Sequence, residues 1–155
     1  MQMLSKKSKY ALRALLALAR RPDQEPVLIS ELAEQEGIPK KFLEMILLEL
    51  KNNGMLQSKK GKGGGYFLGR KSDAISLGEV IRVLDGPLAP LPCVSQTAYH
   101  TCQECGDEAT CGIRAVMKDV RDATASILDQ ESLADVLRRT DRLQQEKKKI
   151  SVYAI

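Results

Sequence analysis

The stretch that most constrains this chain is residues 57–70, Gln-Ser-Lys-Lys-Gly-Lys-Gly-Gly-Gly-Tyr-Phe-Leu-Gly-Arg. Four glycines and three lysines lie between Ser58 and Tyr66. Glycine reaches backbone angles that other residues adopt only with strain. The run therefore predicts a β-hairpin with strands Met55–Ser58 and Gly65–Leu68, and Lys59, Lys60 and Lys62 project from its tip. Taken alone, a solvated turn whose lysines keep the chain soluble fits equally well. What precedes the hairpin separates the two.

Residues 5–20 predict a first helix, with Ala11, Leu12, Leu15, Leu16 and Ala19 at helical spacing. Lys6, Lys7 and Lys9 crowd its first turn, against the helix dipole, which suits a nearby phosphate or plain solubility. Arg20-Arg21-Pro22 ends it. Val27-Leu28-Ile29 suggests a small strand. Ser30 is the expected N-cap of a second helix, Glu31 to Gln35, stopped by Gly37. Pro39 is expected at the first position of a third helix reaching about Asn52. This is a helix-turn-helix arrangement. The third helix is apolar at Phe42, Leu43, Ile46, Leu47 and Leu50, while Lys40, Lys41, Glu44, Met45 and Lys51 occupy its other face. N-terminal residues of a reading helix reach base edges, lysine donating to guanine and glutamate accepting from the cytosine amino group. The charge distribution agrees. Residues 1–71 hold 14 Lys/Arg against 7 Asp/Glu, and residues 72–155 hold 10 against 13. A basic front half suggests a polyanionic partner, although solvated surface charge produces the same asymmetry.

Ser76-Leu77-Gly78-Glu79 reads as a capping box opening a fourth helix that stops at Gly86-Pro87. A loop over 87–112 follows and holds all four cysteines, Cys93, Cys102, Cys105 and Cys111. A loop that long needs a function or an internal staple. The chain shows no run of about 18 apolar residues and no signal-peptide pattern, so a cytoplasmic protein without membrane contact is expected. In that setting clustered cysteines point to a metal site more than to disulfides. A long fifth helix, Ile113 to about Leu128, carries a narrow stripe of Ile113, Val116, Met117, Val120, Thr124, Ile127 and Leu128, which suits twofold coiled pairing. Leu133, Val136 and Leu137 suggest a short sixth helix. The expected organisation is 1–86, 87–112, 113–138 and a charged, flexible tail over 139–155. One histidine and no nucleophile motif or phosphate-binding loop leave little catalytic equipment, so an enzyme is not expected. An electron carrier and a winged helix that binds a protein rather than DNA stay open as other classes.

Several segments together resemble the IscR/NsrR/CymR family of bacterial winged-helix transcription regulators. They are Leu4-Ser5-Lys6, Tyr10 to Leu15, Ile29 to Ala33, Ile38-Pro39 and Phe42-Leu43-Glu44, then Gly61 to Leu68 and Ile75 to Ile81. The resemblance covers roughly residues 3 to 138. It implies a mainly α winged helix-turn-helix with a β-wing and a long C-terminal dimerisation helix. It further implies a homodimer on double-stranded DNA with a palindromic operator. The third helix would enter the major groove and the hairpin the minor groove. Lys40, Lys41 and Glu44 become base-reading candidates. Lys9, Ser30, Pro39, Lys59, Lys60, Lys62, Gly63 and Gly64 become backbone or minor-groove candidates.

Many members of that family hold an iron–sulfur cluster on three cysteines, the last two spaced as Cys105 and Cys111 are. Cys93 fits the first, and Cys102 is an extra thiol. Arg114 stands where others carry a histidine, Lys9 where some carry a helix-one ligand, and His100 lies inside the loop. An all-cysteine [2Fe–2S] or [4Fe–4S] site on Cys93, Cys102, Cys105 and Cys111 is the reading this implies. Zinc on Cys102-x-x-Cys105 and metal-free thiol chemistry stay open beside it.

Overall fold

In a computed structural model, which describes residues 4–154, the chain forms six α-helices and one antiparallel hairpin. In order these are α1 (Lys6–Ala19), α2 (Ile29–Glu36), α3 (Lys40–Asn52), β1 (Leu56–Lys59), β2 (Gly65–Leu68), α4 (Leu77–Asp85), α5 (Gly112–Gln130) and α6 (Leu133–Tyr153). Residues 1–3 and 155, at the outer limits of the expected front domain and tail, lie outside the described residues.

The core is made by the helical stripes. Ala11, Ala14, Leu15 and Leu18 of α1 meet Leu32 and Ala33 of α2 and Leu43, Ile46, Leu47 and Leu50 of α3. Small residues on α1 and α2 let the helices cross closely. Emptying a fully buried leucine in such a core costs roughly 2–5 kcal/mol. Left-handed Gly37 (φ 61°) closes α2, and the Ile38 N–H donates to the Ala33 carbonyl at 3.0 Å. β1 and β2 pair in register from Leu56 with Leu68 to Lys59 with Gly65. With the hairpin against helices α1–α3, this is a winged helix-turn-helix.

Four local expectations are corrected. The Val27–Ile29 strand shrinks to Val27, which exchanges two 2.9 Å backbone bonds with Tyr66 of β2. Because the Leu28 carbonyl already accepts from Leu32, α2 starts at Ile29, and Ser30 lies inside its first turn instead of capping it. Pro39, in extended conformation, is the N-cap of α3 rather than its first helical residue. At α4 the Ser76 hydroxyl accepts from Glu79 N–H (3.1 Å), but the Glu79 carboxylate turns to Arg70 (2.6 Å), so the box is one-sided.

The largest difference is α6, a 21-residue helix where a short one with a frayed tail is expected. A reciprocal box opens it: Ser132 accepts from Asp135 N–H, and Asp135 accepts from Ser132 N–H. No glycine or proline interrupts 133–153, and most residues there are good helix formers. Leu133 is fully buried in the winged-helix core, and Arg20 of α1 pairs with Asp141 at 2.9 Å. The first turns of α6 therefore belong to the front domain. From Asp141 onward every described residue of α6 is exposed.

Candidate nucleic-acid interface and cysteine loop

The basic surface has two parts. At the start of α3, Lys40, Lys41 and Glu44 are exposed, with Pro39 beside them. At the hairpin, Lys59 is the last residue of β1, opposite Gly65, because the strand runs Leu56–Lys59 and not Met55–Ser58; Lys60 and Lys62 lie in the tip, and all three are exposed. Among the described residues none of these five lysines has an ion-pair partner. The Lys51 ammonium donates to Ser58 Oγ at 2.7 Å, joining α3 to β1. Ser30 is exposed in the first turn of α2.

The glycines of the tip do different things. Gly61 (φ 88°) and Gly63 (φ 74°) are exposed in left-handed geometry. Gly64 is buried, and a Cβ there would stand 2.2 Å from the Lys59 carbonyl oxygen. Its N–H closes the turn onto Gly61 at 3.0 Å. Gly64 thus builds the tip, while Gly63 presents its backbone outward.

The lysines at the head of α1 separate as well. Ser5 caps the helix, and its N–H and hydroxyl both donate to the Asp85 carboxylate. Burial opposes ionisation of Asp85, but these bonds from Ser5 outweigh it and hold its pKa below the usual value. Lys7 pairs with Glu49, and Lys6 lies 5.7 Å from the Tyr10 ring centre. Lys9 is exposed with neither an ion-pair partner nor an aromatic ring against it among the described residues.

In the loop, Cys93 is buried and Cys102, Cys105 and Cys111 are half-buried. Cys111 is the N-cap of α5, and its sulfur accepts from Arg114 N–H at 3.4 Å. That bond lowers the Cys111 pKa, helped by hydrogen-bond contact with Cys105. Partial burial and the same contact raise that of Cys105, and the charge of Cys102 acts in the same direction. One thiol of the pair keeps its proton while the other sheds it more readily. Cys111 thus heads α5, with Cys105 and Cys102 earlier on the same loop.

Two residues that sequence reasoning did not assign hold this loop together. Glu108 accepts from Cys102 N–H at 2.9 Å and from the Tyr99 hydroxyl at 2.7 Å, and these bonds lower its pKa. It also faces Arg114 at 3.7 Å, whose Nε donates to the Cys93 carbonyl at 3.2 Å. An acidic residue six positions after Cys102 was the signal in the sequence, but nothing in the spacing marked it. His100 is exposed, and its backbone N–H donates to Pro92.

Among the described residues no group of three or more histidine, cysteine, aspartate or glutamate side chains is arranged to hold a metal ion. The donor chemistry nonetheless fits a thiophilic group, with the Cys111 pKa lowered towards the thiolate. Four thiols on one loop suit iron–sulfur or zinc and leave hard, oxygen-seeking cations unsuited.

α5 connects this loop to the front domain. At its head Arg114 binds the carbonyl of Cys93, and at its middle Arg121 binds that of Val94. At its foot Asp129 takes both guanidinium nitrogens of Arg82, at 2.6 and 2.9 Å. The chain then bonds Leu77 N–H to Glu131 and Leu133 N–H to Ile75 at 2.9 Å each. No helix among the described residues is long and apolar enough to cross a membrane.

The profile of the Rrf2 family, described as an iron-dependent transcriptional regulator, matches residues 4–139. An rrf2-like HTH-type transcriptional regulator of Rhodobacter capsulatus is 44% identical over 138 residues, covering 87% of this chain and 92% of that protein. Among solved structures, CymR, the global cysteine regulator of B. subtilis, superposes with a TM-score of 0.72 at 30% identity. That match covers 88% of this chain and 96% of that one. IscR of T. potens superposes with a TM-score of 0.71 at 26% identity, covering 92% and 91%.

Proposed function

The chain belongs to the Rrf2 family of transcriptional regulators, and from that premise we propose a homodimer that binds a palindromic operator and is switched through its cysteine loop. The observation that carries the operator reading is the pair of lysine clusters without ion-pair partners, one heading α3 and one at the hairpin tip. Lys40, Lys41 and Glu44 read base edges in the major groove. Lys9, Lys59, Lys60 and Lys62 contact phosphates or the minor groove, and Ser30, Pro39, Gly63 and Gly64 shape those approaches. The protein acts in the cytoplasm, on duplex DNA.

Dimerisation uses α5. No residue of this 19-residue helix is buried, and Ile113, Val116 and Ile127 are 69%, 57% and 64% exposed. With Val120 and Ala123 they recur at alternating three- and four-residue steps, the seam of a coiled pair.

Cys93, Cys102, Cys105 and Cys111 would hold an iron–sulfur cluster, which supplies a group that reacts with oxidants or nitric oxide and is lost when iron is short. The chain's own part is transmission. Glu108 and Arg114 hold the cysteine segments on the head of α5, and Arg82 and Asp129 fix its foot to α4. Reordering 88–112 therefore shifts α5 against the reading heads. The two loop states differ in operator affinity, which is what makes a switch. The opposite pKa shifts of Cys105 and Cys111 favour one second reading, a metal-free switch in which a peroxide oxidises these two thiols to a disulfide and is itself reduced to water; zinc would leave a colourless protein.

Protein purified without air tests the prosthetic group. The expected result is a brown chromophore with iron and labile sulfide, and colourless protein lacking both would end the cluster reading. Duplex from the protein's own promoter region, titrated at two salt concentrations, tests the operator reading. Binding should fall steeply with salt. Indifference to that duplex at both concentrations would overturn it.

A further inference from the structure

The outer face of α3 carries an apolar pair that its own chain leaves uncovered. Met45 is 65% exposed and Leu48 is 52% exposed. Three residues apart, they are neighbours on one side of the helix. The core side is already filled by Leu43, Ile46, Leu47 and Leu50, all fully buried. A helix kept soluble by charge gains nothing from two large apolar side chains among its lysines.

Their surroundings say what covers them. Lys41 and Lys51 flank the pair along the helix, and Lys40 precedes it. Among the described residues none of the three is neutralised by an ion pair, and against them stands one exposed carboxylate, Glu44, so the face is net positive and suits an anionic cover. An anionic surface that also offers apolar groups at the bottom of a helix-wide groove is duplex DNA, where the thymine C5-methyl lines the major groove. An apolar protein partner would leave those ammonium groups desolvated without counter-charge.

We propose that Met45, with Leu48 behind it, recognises thymine methyl groups in the operator half-site. This rests on the operator-binding reading above and adds a specificity element to it. Lys9, Lys59, Lys60 and Lys62 set position and overall affinity, and Lys40, Lys41 and Glu44 read the polar base edges. Met45 distinguishes a thymine from any base that lacks the methyl. Methionine suits the task, because its flexible thioether follows the contour of the groove.

The test uses the full-length dimer and a duplex selected from a random pool. Each thymine of the selected half-site is replaced in turn by deoxyuridine, which removes only the methyl. At one or two positions the wild type should weaken about fourfold, the effect of exposing one methylene-sized apolar group. Met45→Ala should bind the thymine duplex at that weakened level and show no further loss with deoxyuridine. Met45→Leu should restore the discrimination. A selected duplex without thymine, or a wild type indifferent to deoxyuridine at every position, overturns the proposal and leaves operator binding intact. So does full discrimination in the Met45→Ala, Leu48→Ala double variant, or a Met45→Ala protein that sediments as a smaller species. A selection that recovers no duplex overturns operator binding and this inference together.

Discussion

Gly65 stands where a side chain cannot. Its φ is 145°, and an added Cβ would lie 2.3 Å from the Val27 carbonyl oxygen and 2.9 Å from Leu28 N. Those are backbone atoms of the bridge that binds β2 to the front of α2. Gly65→Ala is expected to push the hairpin off Val27 and to cost about 1–3 kcal/mol in denaturant unfolding, in line with strained-backbone substitutions. Gly63→Ala meets no atom within 4 Å and carries only the strain of its φ of 74°. The order of the two losses checks the bridge. From the sequence, the run of glycines was legible as a turn, but which glycine is under pressure was not. The pressing atoms come from residue 27, far away along the chain. Charge was legible in a similar, partial way. Lys6, Lys7 and Lys9 look alike in sequence, and only the fold gives Glu49 to Lys7 and the Tyr10 ring to Lys6. A matching test follows for the free lysines: Lys40→Glu with Lys41→Glu should abolish specific duplex binding while the circular-dichroism melt stays near the parent's. Retained binding would remove them from the interface.

At the scale of elements, what the sequence hid was contact between unlike segments. Helices α1 and α3 follow from spacing, because burial on one face imposes a period, and α5 follows from an apolar stripe of the same period that its own chain leaves exposed. α6 did not, since its outer half buries nothing and its stability comes from capping and ion pairs. Its box can be tested by acid. Asp135 accepts from Ser132 N–H and hydroxyl and pairs with Arg138, which lowers its pKa to about 2. A carboxylate of lowered pKa stabilises the fold above its unfolded value of about 4 and loses that contribution as pH falls towards 2. Helix content of the wild type should therefore decline across that window. Asp135→Asn should start lower at neutral pH and change less. Equal acid sensitivity in the two proteins would mean that the box contributes nothing. The cysteine loop was legible as a cluster of thiols but not as a clamp, because Glu108 and Arg114 work through backbone groups that carry no sequence signature. Arg114→Ala frees the Cys93 carbonyl and the partner of Glu108. Maleimide should then label Cys93, buried in the parent, several-fold faster in the reduced, metal-free variant. An unchanged rate would show that the loop is held by other contacts.

For the whole molecule, the question is what a solitary chain leaves unfinished. A 19-residue helix without one buried residue is unstable in water on its own apolar content, and α5 is tied through polar bonds of Arg114, Arg121 and Asp129. Its exposed seam lacks a cover, and the proposed twofold arrangement would supply an identical seam from a second chain. Val116→Glu with Ile127→Glu places carboxylates at two of the seam positions, facing their own copies across the pair. Like charges there should leave a monomer in sedimentation while the winged-helix core, which shares none of these residues, melts as before. The same variant tests how the reading heads cooperate. A dimer neutralises phosphates with two sets of lysines, and one chain with one set. The slope of log affinity against log salt should thus fall to about half in the monomer, alongside a large loss of affinity. If the variant sediments as the parent does, α5 is not the seam. If it is monomeric yet keeps the full salt slope, each chain binds DNA alone and the loop cannot act by changing the spacing between two heads.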